Sequence, residues 1–429
     1  MPTPAFESEM RDVVVIGGGP AGSVAGAYLA RKGFRVLLLE KERFPRFTVG
    51  ESLLPHGNEI LKELGVWPEL ENGGFVKKYG ADFSTGSRER FNRYWFRNAL
   101  GVGHEHTFQV DRASFDEILL NTARREGCEV VEEAKVTQVD QGNGCKGDHV
   151  VLNYESPEGP CKITARWLVD ASGRAAVAGA SLKMPKLPTR DRKMVAIYGH
   201  FSGVHRNGGE ASGHTVIIRF KEGWFWLIPL ANGTTSLGVV IPPELLRKHG
   251  GDLKMAFETC VAANPDVSNR MRNAETLVPL RVTADYSWRH RSFAEGRVLL
   301  TGDAAGFVDP IFSSGVMLAM KSGKLAAETI ARSDALGRPL TVYECRAYTR
   351  NIAGWMKTYS RIIRSFYDRA GFEIFMNPMP LLGIPRSIGF LVGGKMDLPV
   401  SHRLRIFMFQ LICAVQRRVT IAPPIPSLR

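Results

Sequence analysis

The sequence lacks the marks of a disulfide-stapled, zinc-bound or membrane-spanning chain. Its six cysteines, Cys128, Cys145, Cys161, Cys260, Cys345 and Cys413, are scattered and form no C-x-x-C pair. That spacing suits reduced thiols and argues against a disulfide frame or a thiolate zinc site. His104 and His106 make an H-x-H with no ligand-rich cluster around them. They read as surface histidines, and no metal is expected. No apolar run reaches the roughly 18 residues of a membrane span. The first ten residues are polar and carry no secretory leader, so a cytoplasmic chain is expected. Acidic residues are also in deficit. The 56 Lys and Arg outnumber the 43 Asp and Glu, for a net charge of +13. The excess is uneven: from Tyr343 onward there are 13 basic and 4 acidic residues. A basic stretch of this kind can meet nucleic acid, acidic lipid or an acidic protein, or be only a solvated surface; of these, no nucleic-acid partner is expected.

What is present starts at Val13-Val-Val-Ile-Gly-Gly-Gly-Pro-Ala-Gly22. The β-branched run reads as a buried parallel strand. Gly17, Gly19 and Gly22 have G-x-G-x-x-G spacing, a small-residue helix follows over 23–32, and a second strand over 35–39 ends on Glu40. In such a βαβ unit the first glycine permits the turn, the second lets backbone approach a pyrophosphate, and the third lets helix pack on strand. The helix N-terminus faces the phosphates, and Glu40 is placed to accept hydrogen bonds from a ribose.

The 429 residues are enough for two or three domains. A basic, proline-containing loop over 41–48 leads to Val49-Gly-Glu-Ser-Leu-Leu-Pro55 and a helix over 58–64. The segment 73–83 leads into an antiparallel region. Gln109-Val-Asp-Arg-Ala-Ser-Phe115 opens a helix running to about Gly127, with Asp111 and Ser114 as the two candidate caps. The spans 130–139, 150–154 and 163–171 read as strands, with a glycine-rich hairpin after the first of them. From 194 to 241 four strands at hairpin spacing form an antiparallel sheet. Strand, turn and helix resume over 296–331. The expected fold class is α/β: a discontinuous doubly wound domain (8–185 and 286–333), an inserted antiparallel-sheet substrate domain (186–285) and a C-terminal helical region (334–429). In that last region Trp355, Tyr359, Ile362 and Phe366 share one helix face. The span 406–415 is nearly all apolar, with Arg403, Arg405, Arg417 and Arg418 around it. It reads as a buried core helix, with an interfacial or partner-docking helix as the alternative.

Three segments in order, GGGPAG with Glu40, Asp170-Ala-Ser-Gly173 and Thr301-Gly-Asp-Ala-Ala305, resemble the FAD-binding fold of the p-hydroxybenzoate hydroxylase class. Four further motifs narrow the resemblance to the flavin-dependent halogenases. Trp224-Phe-Trp-Leu-Ile-Pro229 matches their W-x-W-x-I-P signature. The loop Phe307-Val-Asp-Pro-Ile-Phe-Ser-Ser-Gly315 resembles their second signature, and Gly50-Glu-Ser-x-x-Pro55 their flavin strap. Lys78, just before Tyr79-Gly80, matches their catalytic lysine.

The resemblance implies FAD contacts at Gly17, Gly19, Ala21, Gly22, Glu40, Glu51, Ser52, Arg112, the backbone of Val136, Asp303 and Val316. It implies a halide site at the backbone of Ser314 and Gly315. Trp224 and Trp226, two apart on a strand, point to one face and would wall substrate from flavin. Reduced FAD, delivered by a separate flavin reductase, would combine with oxygen and chloride or bromide to make hypohalous acid. Lys78 would receive that acid and present it to an aromatic substrate. Lys77 would point the other way. The tryptophan-specific enzymes carry a glutamate two residues before the Ser-Gly pair, where this chain has Phe312. That departure points to the phenol and pyrrole branch, with a substrate free or tethered to an acidic carrier protein, and leaves peripheral membrane contact open for the basic tail. The rival readings are an FAD monooxygenase or dehydrogenase on the same scaffold, a prenyl-type reductase, and a flavoprotein scaffold at membranes.

Overall fold

The computed structural model of the protein describes residues 10–101, 103–141, 149–187, 193–285, 288–377 and 383–428. The glycine-rich hairpin after residue 139, with Cys145, falls largely outside them.

The strand Arg11–Ile16 is the axis of the first sheet. Val13, Val14 and Val15 are fully buried, as expected of a parallel strand covered on both faces. It pairs in parallel with Val36–Leu39 on one side and Gly159–Asp170 on the other. Val298–Leu300 and Glu129–Val131 extend the parallel set outward. The helix Pro20–Arg31 packs on this sheet and against the long helix Gly315–Asp334. Small residues permit that approach: a Cβ on Gly323 would lie 2.3 Å from the carbonyl oxygen of Ala21.

The expected single strand over 130–139 is two. Glu129–Val131 joins the parallel set, whereas Lys135–Gln141 pairs antiparallel with Val150–Ser156. The break is at Glu133, whose φ of 57° is left-handed and cannot continue a strand.

The second sheet, among the described residues, has seven strands in the order Glu275–Asp285, Met194–Ser202, Thr235–Ile241, Trp224–Pro229, Thr215–Arg219, Gly80–Thr85 and Phe91–Trp95. The last two strands come from the segment expected to belong to the nucleotide-binding domain. Gly80–Thr85 also pairs with Thr215–Arg219 in parallel, so the sheet is mixed rather than wholly antiparallel. Lys78, just before that strand, lies on a separate short strand, Val76–Lys78, paired with Thr107–Gln109.

One face of the second sheet packs on the C-terminal helices Val342–Tyr367, Arg369–Met376, Ile384–Val392 and Val400–Gln416, through a cluster that includes Phe83, Trp224, Trp226, Phe312, Phe366 and Phe375. Thr341 and Glu344 form a capping box at the start of the first of these helices. The last helix is not a buried core helix. Ile406, Phe409 and Cys413 are covered, but Leu404, Phe407, Leu411 and Val415 are exposed. No described helix is long and apolar enough to cross a membrane.

Candidate active site

The nucleotide fingerprint is held in a geometry that leaves backbone donors open. Gly17 has φ +97°, and a Cβ there would strike the carbonyl of Ala171 at 2.6 Å. A Cβ on Gly22 would lie 1.9 Å from the carbonyl oxygen of Gly17. Gly19 caps the helix with no side chain bonded to the first-turn N–H groups, which therefore offer a site for an anion. Glu40 is buried at the end of its strand and accepts from Gly18 N at 2.6 Å and Glu42 N at 2.9 Å. Ala21 abuts the Asp303 turn, since a Cβ on Gly302 would meet the Ala21 methyl at 3.0 Å. Val136 is buried on its strand, with its backbone paired to Tyr154.

The strap is tied down from three sides. Arg112 makes a two-pronged pair with Asp116, at 2.8 Å for both bonds, and donates to the carbonyl of Val49 at 3.0 Å. Its guanidinium thus holds the strap backbone. The Glu51 carboxylate accepts from Gly50 N at 2.9 Å and faces His200 Nε2 at 3.0 Å. Asp303 lies nearby: burial pushes its carboxyl up to about 6, against the opposing pull of Arg174 and Arg112.

Lys78 is 1% exposed, while Lys77 on the same short strand points outward. The Lys78 amine donates to Ser52 Oγ at 2.8 Å and to the carbonyl of Leu53 at 3.0 Å, and stands over the Phe96 ring. Ser52 is in turn 2.8 Å from Thr215 Oγ1, which accepts from Gln109. No carboxylate contacts the amine among the described residues, so burial lowers its pKa to about 7.

Trp224 and Trp226 do share a face, with ring centroids 5.9 Å apart. Trp224 Nε1 donates to Tyr367 Oη at 2.7 Å, and Tyr367 donates to Asp309 at 2.8 Å. Trp224 is therefore bonded through a C-terminal helix to the second signature loop. That loop ends with Ser313 in a left-handed turn, and Ser314 caps the helix Gly315–Asp334. Among the described residues the Ser314 hydroxyl is buried without a partner, and nothing stands within 4 Å of where a Cβ on Gly315 would be. Val316 is buried one residue further on.

A profile described as an FAD binding domain matches residues 10–333. The chain is 33% identical to a 1H-pyrrole-2-carbonyl-[peptidyl-carrier protein] chlorinase of Pseudomonas fluorescens, covering 78% of this chain and 79% of the relative. It is 32% identical to a tryptophan 2-halogenase of Chondromyces crocatus, over 83% of this chain and 67% of the relative. Its structure superposes on the flavin-dependent brominase Bmp2 with a TM-score of 0.85 at 30% identity, covering 96% of this chain and all of that one.

The chain belongs to the flavin-dependent halogenases. It is an FAD enzyme of the oxidoreductase class, with halide and oxygen as cosubstrates.

The halogenase's own residues suit that cofactor. Open first-turn N–H groups and the buried Glu40 match a dinucleotide, and the unpartnered Ser314 hydroxyl beside a helix N-terminus matches a small anion. Several residues in this neighbourhood escaped the sequence reading. Arg46 stands 3.6 Å from the Gly19 Cβ position and 3.3 Å from Asp116. It lies in the basic loop noted from sequence, which was its only signal. His200 and Tyr367 had none, being 149 and 143 residues from Glu51 and Trp224 respectively.

The H-x-H histidines also differ from expectation. His106 packs on Trp67, Tyr79 and Phe108. His104 packs against His56 with ring centroids 4.6 Å apart, and with Glu59 the three offer ligand atoms within 4.8 Å of one another. Burial, then the charges of His104, Lys395 and Lys321, lower the His56 pKa to about 3. The two lysines would repel a metal ion there as well.

Proposed function

We propose that this halogenase acts on an electron-rich aromatic ring, a phenol or a pyrrole, with Lys78 as the residue that holds and presents hypohalous acid. Bound reduced FAD supplies, with oxygen and halide, that oxidant. The observation that carries the reading is the Lys78 amine: buried, bonded only to neutral acceptors, and divided between its charged and neutral forms near pH 7. Either form can hold hypohalous acid, by hydrogen bond or through an N–halogen bond. Trp224 and Trp226 supply bulk between the two sides and exclude a ring-sized substrate from the flavin side. The backbone N–H groups at Ser314 and Gly315 are assigned to halide.

Phe312 supports the phenol or pyrrole branch. It packs among Phe83, Phe366 and Phe375 and offers no carboxylate to assist an unactivated indole carbon. The relative that acts on a carrier-bound pyrrole and the basic C-terminal region favour a substrate delivered on an acidic carrier protein. A single nucleotide fingerprint, at Gly17, favours a separate reductase as the source of reduced FAD.

The test is mass spectrometry of products from candidate phenols and pyrroles, free and carrier-bound, with the purified protein, a flavin reductase and chloride or bromide. Halogenated product that tracks the halide supplied is expected. Hydroxylated product formed without halide would instead assign a monooxygenase.

A further inference from the structure

The helix Val400–Gln416 buries Ile406, Phe409 and Cys413 against the helices Arg369–Met376 and Ile384–Val392. Its outward side is apolar as well. Val400, Leu404, Phe407, Leu411 and Val415 are 80%, 58%, 61%, 56% and 41% exposed. Val400, Leu404, Phe407, Leu411 and Ala414 are separated by steps of four, three, four and three residues. Alternating steps of that kind are the a and d positions of a heptad, and so narrow a row is the seam one helix offers another.

Charge decides what covers the seam. From Leu398 to Arg429 the sequence has no Asp or Glu. Arg403 flanks the row at a heptad g position, and Arg417 and Arg418 follow its last turn at the helix C-terminus. Arg403 donates to the carbonyl of Leu398, and Arg417 stands 3.4 Å from Asp368. A second copy packed antiparallel would set Arg403 against Arg417, and one packed parallel would bring the two Arg417–Arg418 ends together. Neither arrangement offers a carboxylate from this helix. A bilayer is the poorer fit too, because the exposed apolar positions form a narrow heptad row on a helix already docked on its other side, not the broad apolar face an interfacial helix buries.

We propose that this face docks a protein partner through an amphipathic helix whose apolar row is flanked by carboxylates. The apolar row supplies the contact area, and the acidic flanks meet Arg403, Arg417 and Arg418, setting register and orientation. The inference does not depend on which ring is halogenated.

The test is fluorescence anisotropy of the full-length protein with a labelled helical peptide of roughly 20 residues, Leu at a and d and Glu at e and g. A companion peptide carries Lys at e and g. The acidic peptide should bind at least about tenfold tighter than its companion, and weaken several-fold between about 50 and about 300 mM salt. L404D combined with L411D should lower its affinity by about tenfold or more while the protein keeps its FAD content and melting temperature. Equal binding of the two peptides, or no binding of the acidic one, overturns the proposal. Sedimentation showing a dimer that the double variant abolishes assigns the face to a second copy instead. Pelleting with phosphatidylglycerol vesicles, lost in the double variant, assigns it to lipid.

Discussion

Lys78 Nζ donates to Ser52 Oγ at 2.8 Å, which joins the proposed catalytic amine to the flavin strap. The same serine is within 2.8 Å of Thr215 on the second sheet. Strap, lysine strand and second sheet therefore meet at one buried hydroxyl, and a change on any of them reaches the amine.

Lys78→Ala should abolish regiospecific halogenation while leaving FAD binding and oxygen consumption intact. Lys77→Ala, on the exposed side of the strand, should behave as the parent. Product yield and oxygen uptake measured in parallel decide it, and parental halogenation by Lys78→Ala would move the relay elsewhere.

Lys78→Met should be more stable than the parent near pH 6, with the gain fading as pH approaches 10. Burial lowers the amine from 10.5 to about 7. Below pH 7 both folded and unfolded chains carry the proton, and the cost of burying the charge is at its full value. Between about 7 and 10.5 only the unfolded chain stays protonated, so parental stability rises with pH. The difference at low pH is on the order of a few kcal/mol, partly offset by the lost bonds to Ser52 and Leu53. Melting temperatures across that range test the sign, and a gain independent of pH would contradict it.

Tyr367→Phe should uncouple oxidant formation from halogenation. The phenol accepts from Trp224 and donates to Asp309. Its loss leaves a buried indole N–H without that acceptor, a cost of about 1–3 kcal/mol, and loosens the wall. More free oxidant per oxygen consumed is expected, with flavin content unchanged. Adding Trp224→Phe should increase the leak little further, because the two residues act through one bond. An unchanged ratio of product to oxygen would refute the coupling.

Gly22→Ala should prevent assembly of the nucleotide site. The added methyl would lie 1.9 Å from the Gly17 carbonyl oxygen, which is backbone and has little room to move. A loss on the order of 3 kcal/mol or more is expected, read as lower melting temperature and flavin content. Gly33→Ala is a useful contrast. Among the described residues nothing stands within 4 Å of its Cβ position, which leaves its φ of +83° to oppose a side chain. It should cost about 1–2 kcal/mol.

The sequence by itself determined the features that local geometry governs. Strand, turn and helix at Gly17–Gly22 follow from short-range sterics. The shared face of Trp224 and Trp226 follows from the two-residue period of a strand, and the cap at Asp111 from a side chain reaching three residues along. Only the tertiary structure decided what joins segments far apart in the chain. It drew Gly80–Thr85 into the second sheet, paired Glu51 with His200, set Arg112 on the strap and placed Tyr367 between Trp224 and Asp309. Such pairings depend on the packing of the whole chain, which no local window contains. The last helix shows the same division. Its apolar composition was legible, but hydrophobicity alone cannot say which side another element covers, and only the docked neighbours left Leu404, Phe407 and Leu411 facing outward.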